Sequence, residues 1–200
     1  MKTYSKIIDH IEICSIIFSF LPKSLKHLSL PNFNRPFPTI DENSLPWKNL
    51  ESLEFGGGGC GDGLKFSTSH PFTQSISFPN LKSLKISISN YKSLSINLFP
   101  KLESIIFLES ISFTLFNKQY VDSESLFKIL PNSLTYLELE SLNLNKPLND
   151  PTLIFPSNLS TISITNSQKF KIFHPNLPLP PQLKKLLYNN NIYNKYNNYH

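Results

Sequence analysis

The sequence predicts a mainly β protein, a solenoid whose stacked units share one parallel sheet of about seven short strands. Three observations carry that expectation. An apolar triplet at offsets zero, three and five recurs seven times: Leu25/Leu28/Leu30, Leu50/Leu53/Phe55, Leu81/Leu84/Ile86, Leu102/Ile105/Phe107, Leu134/Leu137/Leu139, Leu159/Ile162/Ile164 and Leu183/Leu186/Tyr188. A proline stands two to four residues before each triplet, at Pro22, Pro46, Pro79, Pro100, Pro131, Pro156 and the pair Pro180–Pro181. The composition also disfavours helix, because the 200 residues hold 16 prolines, many Ser and Asn, and no alanine.

The spacing explains itself physically. Offsets three and five alternate as in a strand, so Leu28 and Leu30 point to one face. Offset zero lies where the chain turns into the strand and points inward from that corner. Proline stiffens the turn without removing a sheet hydrogen bond. One unit cannot bury its apolar face alone, whereas stacked units share a continuous core. Triplet starts lie 21 to 32 residues apart, within the range of such units. Strands are therefore expected near 27–31, 52–56, 83–87, 104–108, 136–140, 161–165 and 185–188, with loops and short helical turns on the convex side.

In chain order, residues 1–20 are expected to cap the open end of the stack. Ile7, Ile8, Ile11, Cys14, Phe18 and Leu21 have helical spacing, while Ile8, Ile11 and Ile13 also fit a degenerate strand. Residues 21–188 form the solenoid. All six glycines lie in Gly56–Gly63, which reads as a loop, since it lacks the Gly-Lys-Ser/Thr ending of a phosphate cradle. Before the fifth triplet, Asp122 or Ser123 is placed to cap a short helix carrying Leu126, Phe127, Ile129 and Leu130. Residues 189–200, rich in Asn and Tyr, read as a disordered tail.

Two stretches resemble known families. Leu21-Pro22-Lys23-Ser24-Leu25, with Leu28 and Leu30, followed by Phe33-Asn34-Arg35-Pro36-Phe37, resembles an FNIP repeat, a relative of leucine-rich repeats. Leu144-Asn145-Lys146-Pro147-Leu148 is a near match to the second half of that motif, and Leu115-Phe116-Asn117-Lys118-Gln119 a poorer one without the proline. The resemblance implies a solenoid of leucine-rich-repeat type that binds other proteins, and it implies no catalytic residues. Separately, Ile16-Ile17-Phe18-Ser19-Phe20-Leu21-Pro22 resembles one piece of an F-box. That implies an alternative role, a substrate adaptor of a ubiquitin ligase using residues 1–22 plus the repeats.

Charge and chemistry narrow the function classes. The net charge is +5, but the lysines are scattered and form no nucleic-acid motif. No apolar run is long enough to span a membrane; the longest, Ile13 to Leu21, lacks a following cleavage site. Cys14 and Cys60 make neither a disulfide framework nor a zinc site, which suits a reduced compartment, and the chain is expected to be cytoplasmic. The five histidines, at 10, 27, 70, 174 and 200, make no metal-spaced cluster. No enzyme, no cofactor and no metal are expected. The expected partner is another protein.

Stacking turns repeat positions into columns. Offset one reads Lys26, Glu51, Lys82, Glu103, Thr135, Ser160, Lys184, so the first four alternate in sign and pair if the register holds. Offsets two, four and six give the concave face, mostly small hydroxyls. One stretch differs, where Ile106 and Leu108 lie beside Tyr136, Glu138 and Glu140. An apolar pair with an aromatic and a charged rim is the composition of a binding hot spot, and these five residues are the candidate partner-binding site.

Overall fold

The computed structural model describes residues 21–30, 46–55, 78–88, 99–108, 121–165, 180–189 and 191–194. The expected cap at 1–20, the glycine loop and the Phe33–Phe37 motif lie outside them. Among the described residues, eight strands form one sheet in chain order: β1 (His27–Leu30), β2 (Ser52–Phe55), β3 (Ser83–Ser87), β4 (Ser104–Leu108), β5 (Tyr136–Glu140), β6 (Thr161–Thr165), β7 (Lys185–Tyr188) and β8 (Asn191–Asn194). The first seven are parallel, each paired with the strand of the next unit, as a solenoid requires. One helical turn precedes β2 (Pro46–Asn49), and one α-helix, α1 (Ser123–Lys128), precedes β5.

The apolar triplets build the core. Offset three gives the column Leu53, Leu84, Ile105, Leu137, Ile162 and Leu186, and offset zero gives Leu50, Leu81, Leu102, Leu134, Leu159 and Leu183; each is buried. Burying one such side chain is worth about 1.5–3 kcal/mol against leaving it exposed. Leu25 and Leu28 of the first unit pack against this core but stay partly exposed, because β1 is the edge of the sheet. An aromatic column, which the triplet pattern does not contain, continues the core under the turns, where Phe78 and Phe99 stack with ring centroids 5.5 Å apart.

Register is set by the backbone at every parallel junction. The offset-one carbonyl of each unit accepts two consecutive N–H groups of the next: Lys26 from Glu51 and Ser52, Glu51 from Lys82 and Ser83, Lys82 from Glu103 and Ser104. Glu103, Thr135 and Ser160 repeat the arrangement. The prolines act just upstream. The N–H groups of Leu25, Leu134, Leu159 and Leu183 donate to the carbonyls of Pro22, Pro131, Pro156 and Pro180, closing a four-residue turn onto the offset-zero leucine. Leu81 and Leu102 close the same turn onto Phe78 and Phe99, with the proline one place later. Either place suits its fixed φ, since neither needs a proline N–H.

Residues 141–160 give one complete return from strand to strand. Ser141 has φ 58°, which swings the chain out of β5 while its N–H still reaches the Thr165 carbonyl. Leu142, Leu144, Leu148 and Leu153 then point into the core. Val121 and Leu144 form a parallel bridge between consecutive returns, with Val121 N–H on the Asn143 carbonyl and Asn145 N–H on the Val121 carbonyl.

The C-terminal end differs from the sequence expectation at four residues. Asn191–Asn194 fall in the stretch expected to be disordered, yet they form β8, antiparallel to β7. The reason is local. Asn189 takes φ 43°, a conformation asparagine tolerates, and its N–H bonds the Ile164 carbonyl. The chain then reverses, and β8 pairs with backbone groups that β7 would otherwise leave unpaired at the sheet edge.

Candidate functional site

The strand register brings the five candidate residues together on neighbouring strands. Ile106 of β4 lies opposite Glu138 of β5, Leu108 opposite Glu140, and Ser104 opposite Tyr136. Each alternates with a buried residue, so β4 and β5 show the same pattern of half-buried outward and fully buried inward positions. The outward pair Ile106 and Leu108 is therefore neither fully exposed nor covered.

A hydrogen-bond network orders the β5 side of the patch. The Tyr136 hydroxyl donates to Glu138 Oε2 at 2.7 Å, and the Thr165 hydroxyl lies 3.4 Å from Glu138 Oε1. Burial, and then the Glu138 carboxylate, push the Tyr136 phenol above its ordinary pKa, so it remains a donor. Among the described residues, no lysine lies within salt-bridge reach of Glu138 or Glu140.

The N-terminal side of the same face is different. Glu54 accepts from the Ser29 hydroxyl at 2.6 Å and pairs with Lys85 at 3.1 Å, and these two, the hydroxyl first, hold its carboxyl below the usual range. One column over, Glu51 is bound by Lys26 at 2.8 Å and by Lys82 at 3.8 Å, as the alternating signs predict, but among the described residues the fourth member, Glu103, makes no ion pair with Lys82. His27 sits beside Ser52 in register. Among the described residues, no group of three or more His, Cys, Asp or Glu is placed to hold a metal ion, and no helix is long and apolar enough to cross a membrane.

Two features escape the triplet pattern. The first is an amide ladder along the turns. Asn49 donates to the Lys23 carbonyl at 2.8 Å, Asn80 to Lys48 at 2.7 Å, and Asn158 to Asn132 at 2.8 Å. Each of these asparagines directly precedes an offset-zero leucine, and that recurrence is visible in the sequence. The second is a clasp around α1. Asp122 is its N-cap residue, as expected, but makes no capping bond of its own. Asn145 of the next return supplies it instead, its Oδ1 accepting from the Ser123 N–H at 2.9 Å. Lys146 adds an ion pair with Glu124 and a bond to the Thr152 hydroxyl at 2.9 Å. Beside this clasp, α1 and residues 152–156 border a cavity of about 310 Å³ lined in part by Phe127, Lys128 and Phe155, next to the exposed Ile154.

The clasp gives Leu144-Asn145-Lys146-Pro147-Leu148 a structural meaning. Leu144 and Leu148 are buried, Asn145 caps the helix of the preceding return, and the Pro147 carbonyl accepts the Asp150 N–H of the following turn. Searches of curated proteins and of solved structures gave no match. A comparison with protein-family models gave one, the model described as FNIP Repeat, over residues 15–58. That span contains the first triplet with its Phe-Asn-x-Pro continuation and the second triplet, so the FNIP-repeat resemblance read from the motif is borne out over residues 15–58.

Proposed function

We propose that the protein is a non-catalytic interaction module that binds another protein through the outward, concave face of its sheet at β4 and β5. One observation carries this reading: the register sets Ile106 and Leu108 directly against Glu138 and Glu140, with Tyr136 at the end of the row. An aliphatic pair beside an anchored aromatic and two carboxylates is the composition of a contact centre with a polar rim. The bifurcated junctions hold these strands in fixed register, so little ordering cost attaches to binding there. The match to a repeat model over residues 15–58 fits the same reading, as does a cytoplasmic location for a chain with two unclustered cysteines.

The test is proximity labelling by the full chain in its native cell. The variant Ile106→Glu/Leu108→Glu is compared with Ile154→Glu, which changes the exposed isoleucine away from this face. The expected result is loss of the enriched neighbours in the first variant and their retention in the second, with unchanged circular dichroism in both. The same neighbours in both variants would overturn the reading.

The adaptor alternative rests on residues 1–22. The family match runs through Ile16–Pro22 and gives that stretch to the repeat, which weighs against an independent F-box helix. A pull-down of a ubiquitin-ligase linker protein that depends on residues 1–22 is the result that would restore it.

A further inference from the structure

We infer that the partner segment is amphipathic and cationic: an extended stretch with aliphatic side chains on one edge and lysine or arginine on the other. The inference rests on the proposed contact face and adds the chemistry of what fills it. The protein as a whole carries +5, so long-range attraction alone favours acidic partners. The patch has the opposite local character. Three other carboxylates meet lysines of the chain itself, Glu51 with Lys26 and Lys82, Glu54 with Lys85 and Glu124 with Lys146, whereas Glu103 on the offset-one column makes no ion pair among the described residues. Glu138 and Glu140 have no such counter-charge among the described residues. Lys85 lies two strands from Glu138 in matching register, about 9–10 Å at the usual strand spacing, and is already held by Glu54, whereas Lys185, two strands away on the other side, is in register with Tyr136 and so lies farther from both carboxylates.

Geometry fixes how the two chemistries are shared. Ile106 and Leu108 form one row along β4, and Glu138 and Glu140 the adjacent row along β5, in matching register. Rows of neighbouring strands are about 4.8 Å apart, and alternate residues in one strand about 6.7 Å apart. An extended segment lying along the groove between these rows sets side chains of its two edges over different rows. Aliphatic groups cover Ile106 and Leu108, and cationic groups reach Glu138 and Glu140. Glu138 has its oxygens oriented by Tyr136 and Thr165, which leaves it a fixed acceptor rather than a mobile one.

The experiment uses the full chain and three fluorescent peptides of equal length, alternating Leu with Lys, Leu with Ser, and Leu with Glu. Anisotropy titrations are made with the native protein, with Glu138→Gln/Glu140→Gln and with Ile106→Ser/Leu108→Ser, each variant checked for unchanged thermal unfolding. The Leu/Lys peptide is expected to bind about tenfold more tightly than Leu/Ser, a preference the Gln variant abolishes. The Ser variant weakens all three. Equal binding of Leu/Lys and Leu/Ser, both lost in the Ser variant, overturns the cationic inference and leaves the contact face standing. Binding indifferent to all four substitutions, or no binding at all, overturns both.

Discussion

The column at offset one is fastened differently at its two ends. Across β1 to β3 the side chains are Lys26, Glu51 and Lys82, joined by ion pairs in solvent. Across β5 and β6 they are Thr135 and Ser160, whose hydroxyls bond the backbone carbonyls of the preceding unit, Glu103 and Thr135, at 3.1 and 3.3 Å. Beneath them, the first unit alone offers half-buried Leu25 and Leu28, whereas the 121–165 region holds a helix, a bridge between returns and fully buried leucines. The backbone junctions are the same throughout. One repeat geometry thus accepts two ways of securing it. Across β1 to β3 paired side-chain charges add to the backbone junctions, and across β5 and β6 hydroxyl-to-carbonyl bonds do, over a core whose leucines are fully buried from β2 onward.

Core truncation tests this difference with the largest effect. Leu137→Ala should cost about 2–5 kcal/mol, because the site is fully enclosed by neighbouring strands and cannot collapse. Leu28→Ala, on the partly exposed edge strand, should cost clearly less. Urea unfolding followed by circular dichroism measures both, and equal losses would break the comparison. Next in size is the clasp. Asn145→Ala removes the acceptor of the Ser123 N–H, and Ser123 is completely buried, so a loss of about 1–3 kcal/mol is expected. Asn49→Ala removes an exposed ladder bond at the other end and should cost about 1 kcal/mol or less. A larger loss at Asn49 would place the mechanical weight in the N-terminal turns instead.

The strands were the most legible part of the chain. Inward positions such as Leu84, Leu137 and Ile162 declare themselves by offset, and the ion pairs of Glu51 follow from sign alternation once that offset is known. The candidate site was legible to the same extent, because neighbours across β4 and β5 follow from register alone. The returns were not. Their lengths vary, so no offset links Asn145 to Ser123, 22 residues earlier. The motif residues were visible, but their role as a cap for another unit's helix depends on how two irregular segments meet. β8 was hidden for a different reason. Its strand is specified by the unpaired edge of β7 and by the turn at Asn189, while its own composition resembles that of a solvated tail.

The smallest effect concerns the charge column and carries the clearest signature. Glu51 is held below the usual carboxylate range by hydrogen bonding and charge from Lys26, and Glu54 by the Ser29 hydroxyl and then Lys85. A carboxylate whose pKa is depressed on folding contributes stability that is fully present above its unfolded value, about 4.3, and lost as pH falls through the folded value. The urea midpoint of the native protein should therefore hold from neutrality to about pH 5 and decline below about 4. Asp122, Glu124 and Asp150, also depressed, add to that decline. The difference between the native protein and Glu51→Gln/Glu54→Gln isolates the N-terminal share. It should shrink toward zero at low pH, and again near 1 M salt, where screening acts within about 3 Å. The hydroxyl fastening at β5 and β6 contains no titrating group, so the difference between native protein and Thr135→Val/Ser160→Ala should persist under both conditions. A Thr135/Ser160 difference that fades with acid or salt would show that the two ends are secured alike after all.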